Sequence, residues 1–153
     1  MDAKEYLESY AALKQEALNN EERIEEAENE ALIPAMKQGD GSQRTPGNGD
    51  RQEKAYIRYI ETKDRLQPII DANRAKMRQI EDDIASLADP MQREVLRLRY
   101  IDVDCWKPVK WRFVALTMYH NDDENALRKL QYIHREALAS IDSVLAAKEG
   151  SHL

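Results

Sequence analysis

Hydrophobic positions fall into two long, matched runs followed by a third section with a different rhythm. Tyr6, Tyr10, Leu13, Ala17, Asn20, Ile24, Ala27 and Ala31 recur at alternating spacings of four and three. That period keeps one stripe of a helix turned toward a partner helix. Tyr56, Tyr59, Lys63, Leu66, Ile70, Asn73, Met77, Ile80, Ile84 and Leu87 repeat it. Residues 39–50, between the runs, hold four of the five glycines and no apolar residue to anchor them. These features predict a long antiparallel, coiled-coil-like helical hairpin over residues 1–88, with a flexible loop at 34–52. Alanines and polar residues thin the seam, so the hairpin needs further burial, from a second copy or from the rest of the chain. Pro68 lacks a helical N–H donor and is expected to kink the second helix or start a new segment. Asn20 and Asn73 do not face each other in this pairing and are expected to reach water or the interface edge.

At Asp89-Pro90 the pattern changes. Asp89 can cap the free N–H groups of a new helix, Pro90 suits its first turn, and Gln92 can reach back as in a capping box. That helix carries Val95, Leu96, Tyr100 and Ile101. A short helix follows with Trp111, Val114, Ala115 and Met118 at helical spacing, then a turn at Tyr119-His120-Asn121. Asp122, Asp123 and Glu124 open a long helix, next to the positive end of its dipole. Ala126, Leu130, Ile133, Ala137, Ile141 and Val144 form its buried stripe. Residues 89–149 thus read as a small three-helix module, with a tail at 150–153. A helix-turn-helix and a plain three-helix bundle both fit. The fold class is all-α.

The net charge of −6 is unevenly spread. Residues 1–33 carry ten acids and three bases, whereas residues 88–153 carry ten of each. The acidity belongs to the first helix, and Arg93, Arg97, Arg99, Lys107, Lys110 and Arg112 give the second part a modest basic patch. No apolar run approaches the ~20 residues that span a bilayer, so no membrane association is expected and a cytoplasmic location is. Cys105 stands alone, which excludes an internal disulfide framework. His120, His134 and His152 are scattered without zinc spacing, and His134 reads as a packing residue. Asp102 and Asp104 lack the glycine and downstream glutamate of a calcium loop. The glycines of the loop do not form a phosphate-binding motif. Neither an enzyme, a metal nor a cofactor is expected. Trp106, Trp111 and Phe113 are expected to pack in a core, with an aromatic partner-binding patch as the alternative.

The segment from Leu87 to Ile101, followed by Trp111, Val114-Ala115, Met118-Tyr119 and His134-Arg135-Glu136-Ala137-Leu138, resembles small phage-encoded transcription regulators related to region 4 of sigma factors. The resemblance covers residues 87–142 and implies an insertion around residues 103–110. It implies a helix-turn-helix whose last helix enters the DNA major groove, in a phage or mobile-element regulator acting in a bacterial host cell, sometimes with the host RNA polymerase. On that last helix the face opposite the buried stripe presents Asn125, Arg128, Tyr132 and Arg135, with Lys129 beside it. Arg128 and Asn125 suit base edges, and Lys129 and Arg135 suit phosphates. Lys110 and Arg112 can touch the backbone from the preceding helix, unless the Arg112 stem packs on Trp111. A homodimer formed through the hairpin would address paired half-sites. The alternative is a helical adaptor or inhibitor that has lost DNA binding and uses its acidic first helix and Trp106 on a host protein.

Overall fold

A computed structural model describes residues 2–37 and 48–151. Among them the chain is helical, without a strand. The helices are α1 (Ala3–Lys37), α2 (Asn48–Ala85), α3 (Pro90–Leu96), α4 (Trp111–Tyr119) and α5 (Glu124–Gly150), and a π-helical turn over Arg97–Ile101 prolongs α3. None of the described helices is long and apolar enough to cross a membrane.

Local chemistry accounts for most of the boundaries. Asp2 Oδ1 accepts from the Glu5 N–H at 2.8 Å and caps α1. Asp50 lies in the first turn of α2, where the helix dipole favours an acid. Helix therefore covers both ends of the loop expected over 34–52, as α1 runs to Lys37 and α2 begins at Asn48. The rest of that loop lies outside the described residues, as does most of the tail. α2 also runs unbroken through Pro68, so no new segment begins there. Asp89 Oδ1 accepts from the Met91 N–H at 2.8 Å, with Pro90 in the first turn, as the sequence predicts. Gln92 takes another role, since its Oε1 accepts from the Ser140 hydroxyl of α5 at 2.8 Å.

The chain divides into two compact units, one of residues 1–15 with 75–153 and the other of residues 16–74. The expected boundary between residues 88 and 89 falls inside the first unit, because one apolar core joins segments from both sides of it. Ala3, Leu7, Tyr10 and Ala11 of α1 and Met77, Ile80, Ile84 and Leu87 share that core with Leu96, Tyr100, Val103, Ala137 and Ile141. α1 thus has a second apolar row at positions 3, 7 and 11 beside its seam. A second cluster joins Val95, Val114, Ala115, Ala126 and Leu130, and it fixes α4 against α5.

Several polar groups of the first unit are paired across its helices, whereas buried Arg99 Nε has no hydrogen-bond partner. Buried Asp83 accepts from the Tyr6 hydroxyl and from Lys148 Nζ, the latter at 2.5 Å. Burial, and then the bond to Asp83, push the Tyr6 hydroxyl well above its ordinary pKa. Tyr10 donates to Glu81 at 2.7 Å.

The second unit is leaner. Ala17, Ala27, Leu66 and Ile70 are buried, together with Asn20 and Asn73. The two asparagines thus reach neither water nor an edge. Arg23 donates to Asn20 at 2.6 Å, and Asn73 donates to Glu16 at 2.8 Å. Buried amides need such partners, which explains why acids and arginines stand beside the seam. Arg74 donates to Glu21 through Nε at 3.0 Å, and Arg58 lies 3.8 Å from Glu30. Tyr56 and Lys63 are exposed although they hold seam positions.

Candidate nucleic-acid interface

The last two helices are set by their termini. Lys110 precedes α4 in an extended conformation, and its carbonyl accepts from the Phe113 and Val114 N–H groups at 3.0 and 3.3 Å. α4 ends at His120, which adopts the left-handed conformation (φ 55°) while its N–H donates to the Leu116 carbonyl at 3.0 Å. This role usually falls to glycine, because a side chain there costs roughly 1 kcal/mol. Asn121 then accepts from the Asp123 N–H at 2.9 Å, and Asp123 caps α5 by accepting from the Ala126 N–H at 2.8 Å.

Ala126, Leu130, Ala137 and Ile141 bury one side of α5 as the sequence pattern predicts. The opposite side leaves Asn125, Arg128, Lys129, Tyr132 and Arg135 exposed or half-buried. Tyr132 is the most open large hydrophobic side chain among the described residues, at 63%. Three of these residues converge with two others. Arg128, Lys129 and Tyr132 line an open groove of about 450 Å³ together with Tyr119 from the end of α4 and Ile133. Lys129 Nζ lies 5.8 Å from the centre of the Tyr119 ring, within range of a cation–π attraction. Tyr119 and Ile133 are absent from the residue set expected from sequence. The recognisable signal is a tyrosine at the end of one helix and another beside a pair of cations on the next.

Each acid at the start of α5 has a local task. Asp122 accepts from Arg112 Nε at 2.8 Å, Glu124 accepts from Arg128 at 3.0 Å, and Asp123 is the cap. Arg112 therefore reaches Asp122, and the cation on the Trp111 ring is Arg99, 4.6 Å from its centre. The two arginine pairs are exposed. Exposed pairs contribute only about 0–1 kcal/mol, so a phosphate can replace the carboxylate at little cost. Lys110 and Arg112 sit at the start of α4 and are both exposed. Neither of them lines the groove.

Below this face, half-buried Arg99, Trp111 and His134 cluster around the buried Tyr100. The Tyr100 hydroxyl and His134 Nε2 are 2.6 Å apart, and the Trp111 ring meets His134 edge-on at 4.6 Å. Burial, followed by the positive charges of Arg99 and Lys4, pushes His134 down to about 4. Burial raises Tyr100 above its ordinary value. His134 therefore packs, as its spacing predicts. Trp106 and Phe113 do not, at 54% and 56% exposed. Trp106 stands on an irregular loop and Phe113 on the outer side of α4, away from Val114 and Ala115. Asp102 and Asp104 are exposed, and among the described residues no group of three or more His, Cys, Asp or Glu side chains could hold a metal ion.

No protein-family model matches the chain, and no significant match appears among curated proteins or solved structures.

Proposed function

We propose that this chain is a DNA-binding transcription regulator of a phage or mobile element, with α4 and α5 acting as a helix-turn-helix and α1 and α2 as an antiparallel hairpin that mediates dimerisation. The resemblance to sigma factor region 4 is part of this reading, and host RNA polymerase is a candidate second partner. One observation carries it. The side of α5 opposite its buried stripe is open along its length and presents Asn125, Arg128, Lys129, Tyr132 and Arg135 without an aliphatic interruption. Base edges can be read by Asn125 and Arg128, while Lys129 and Arg135 meet phosphates. The pairs Glu16–Asn73 and Glu30–Arg58, which run in opposite directions along α1 and α2, support the hairpin.

The test is binding to DNA from the gene's own neighbourhood over a series of salt concentrations. The wild-type affinity should fall steeply with salt. The double variant Arg128→Ala/Lys129→Ala should bind more weakly, and the log–log salt slope should fall by about 1, for the phosphate that Lys129 no longer neutralises. A folded protein without salt-sensitive DNA binding would refute the regulator. A second reading, a helical adaptor that binds a host protein, is favoured by the exposure of Trp106 and Phe113. Capture of one defined host protein that is lost in Trp106→Ala, with no DNA binding, would replace the first reading by this one.

A further inference from the structure

The groove between the end of α4 and α5 differs from the rest of the α5 face. Its walls are two tyrosines and an isoleucine, and its cations are Arg128 and Lys129. A double helix makes poor use of such a groove. In a duplex the faces of the bases are stacked on one another and only their edges reach the grooves, so aromatic side chains have no ring to stack against. Unpaired bases offer their faces, and proteins that hold single strands combine aromatic platforms with cations that follow the backbone. Here Tyr132 is exposed enough to accept a ring. Tyr119 is half-buried and packed against the cluster that joins α4 to α5, with Lys129 over its ring. The exposed salt bridge from Arg128 to Glu124 leaves that guanidinium free to exchange its partner for a phosphate.

We infer that this groove binds single-stranded DNA, taking an unpaired base against Tyr132 and Tyr119 while Arg128 and Lys129 hold the flanking phosphates. The inference rests on the DNA-binding reading above and narrows it to a melted or displaced strand. Charge complementarity selects the occupant. An apolar peptide would leave Lys129 without an anion and offer Arg128 nothing in exchange for Glu124, and a free anion would leave the tyrosine walls uncovered.

Fluorescence anisotropy of the full chain, with labelled oligothymidine and with the same strand annealed to oligoadenine, separates the two ideas at one salt concentration. Oligothymidine should bind more tightly than the duplex. Tyr132→Ala should weaken it about 5-fold or more, within the range that base–aromatic stacking contributes. Tyr132→Phe should keep the affinity, because it keeps the ring. Neither change should alter thermal unfolding, since Tyr132 faces solvent. Duplex bound as tightly as single strand, with Tyr132→Ala no weaker than wild type, would overturn this inference and leave the duplex-reading regulator standing. Failure of a folded chain to bind either form would remove both. Tighter binding to oligouridine than to oligothymidine would overturn the assignment to DNA.

Discussion

His134→Gln should make the protein less sensitive to acid. In the wild-type protein His134 is pressed between Trp111 and Tyr100, and its Nε2 is 2.6 Å from the Tyr100 hydroxyl. Burial and the nearby charges of Arg99 and Lys4 lower its pKa from 6.5 to about 4. Above pH 6.5 the ring is neutral in the folded and the unfolded chain and has no effect on the balance. Between 6.5 and about 4 the unfolded chain takes up a proton that the folded chain refuses, so stability falls as the pH falls through this window. Below about 4 both forms are protonated and the penalty is constant. At full strength this depression corresponds to about 3 kcal/mol, from about 1.36 kcal/mol per pH unit. The ring is only partly buried, and screening by water reduces the effect to about 1–2 kcal/mol. Glutamine carries an oxygen that can accept from Tyr100 and has no charge to gain. Urea unfolding of both proteins from about pH 7 to about pH 4 measures the difference. The wild-type protein should lose about 1–2 kcal/mol more than the variant across that range. Parallel curves would refute the reasoning, as would an NMR titration of the His134 ring with a midpoint near 6.5.

Two further changes test the packing around the interface. Leu130 of α5 is fully buried in the cluster that joins its helix to α3 and α4. Leu130→Ala should cost about 3 kcal/mol and lower Tm by roughly 6–12 °C in a calorimetric scan. His120→Gly should stabilise the protein by about 0.5–1 kcal/mol, seen as a Tm rise of about 1–4 °C, because the left-handed backbone at the end of α4 would no longer crowd a side chain.

The features legible in the sequence are those set by neighbours along the chain. Asp89 and Asp123 sit where short acidic side chains reach free N–H groups, and the stripe from Ala126 to Ile141 follows from helical period alone. Exposure of the α5 face follows from the same period. Features that depend on which helices meet are not legible. Asp83 is a buried acid because Tyr6 and Lys148, far away in sequence, both come to it. The row at Ala3, Leu7 and Ala11 has a helical period, but nothing local says that it joins a core with residues as distant in sequence as Ala137 and Ile141. Tyr56 and Lys63 carry the seam period without the burial, and Asn20 and Asn73 are buried because charged neighbours complete their hydrogen bonds. Period fixes the direction of a side chain, while burial also needs something opposite. The groove combines both kinds of information. Arg128, Lys129 and Tyr132 can be read from α5, whereas Tyr119 enters only because α4 packs against it.

The irregular segment after the π-helical turn is fastened at both ends. Val103 is buried and its carbonyl accepts from Lys14 Nζ at 2.9 Å. At the other end the Val109 N–H donates to the Arg99 carbonyl at 2.8 Å, and the Arg99 guanidinium donates back to the Val109 carbonyl. Residues 104–107, between these anchors, are all exposed. This short bow can therefore be lengthened, nicked or fitted with a foreign sequence while its two feet stay planted. It is the natural place in this chain for an engineer to attach a label that does not disturb the helices beneath.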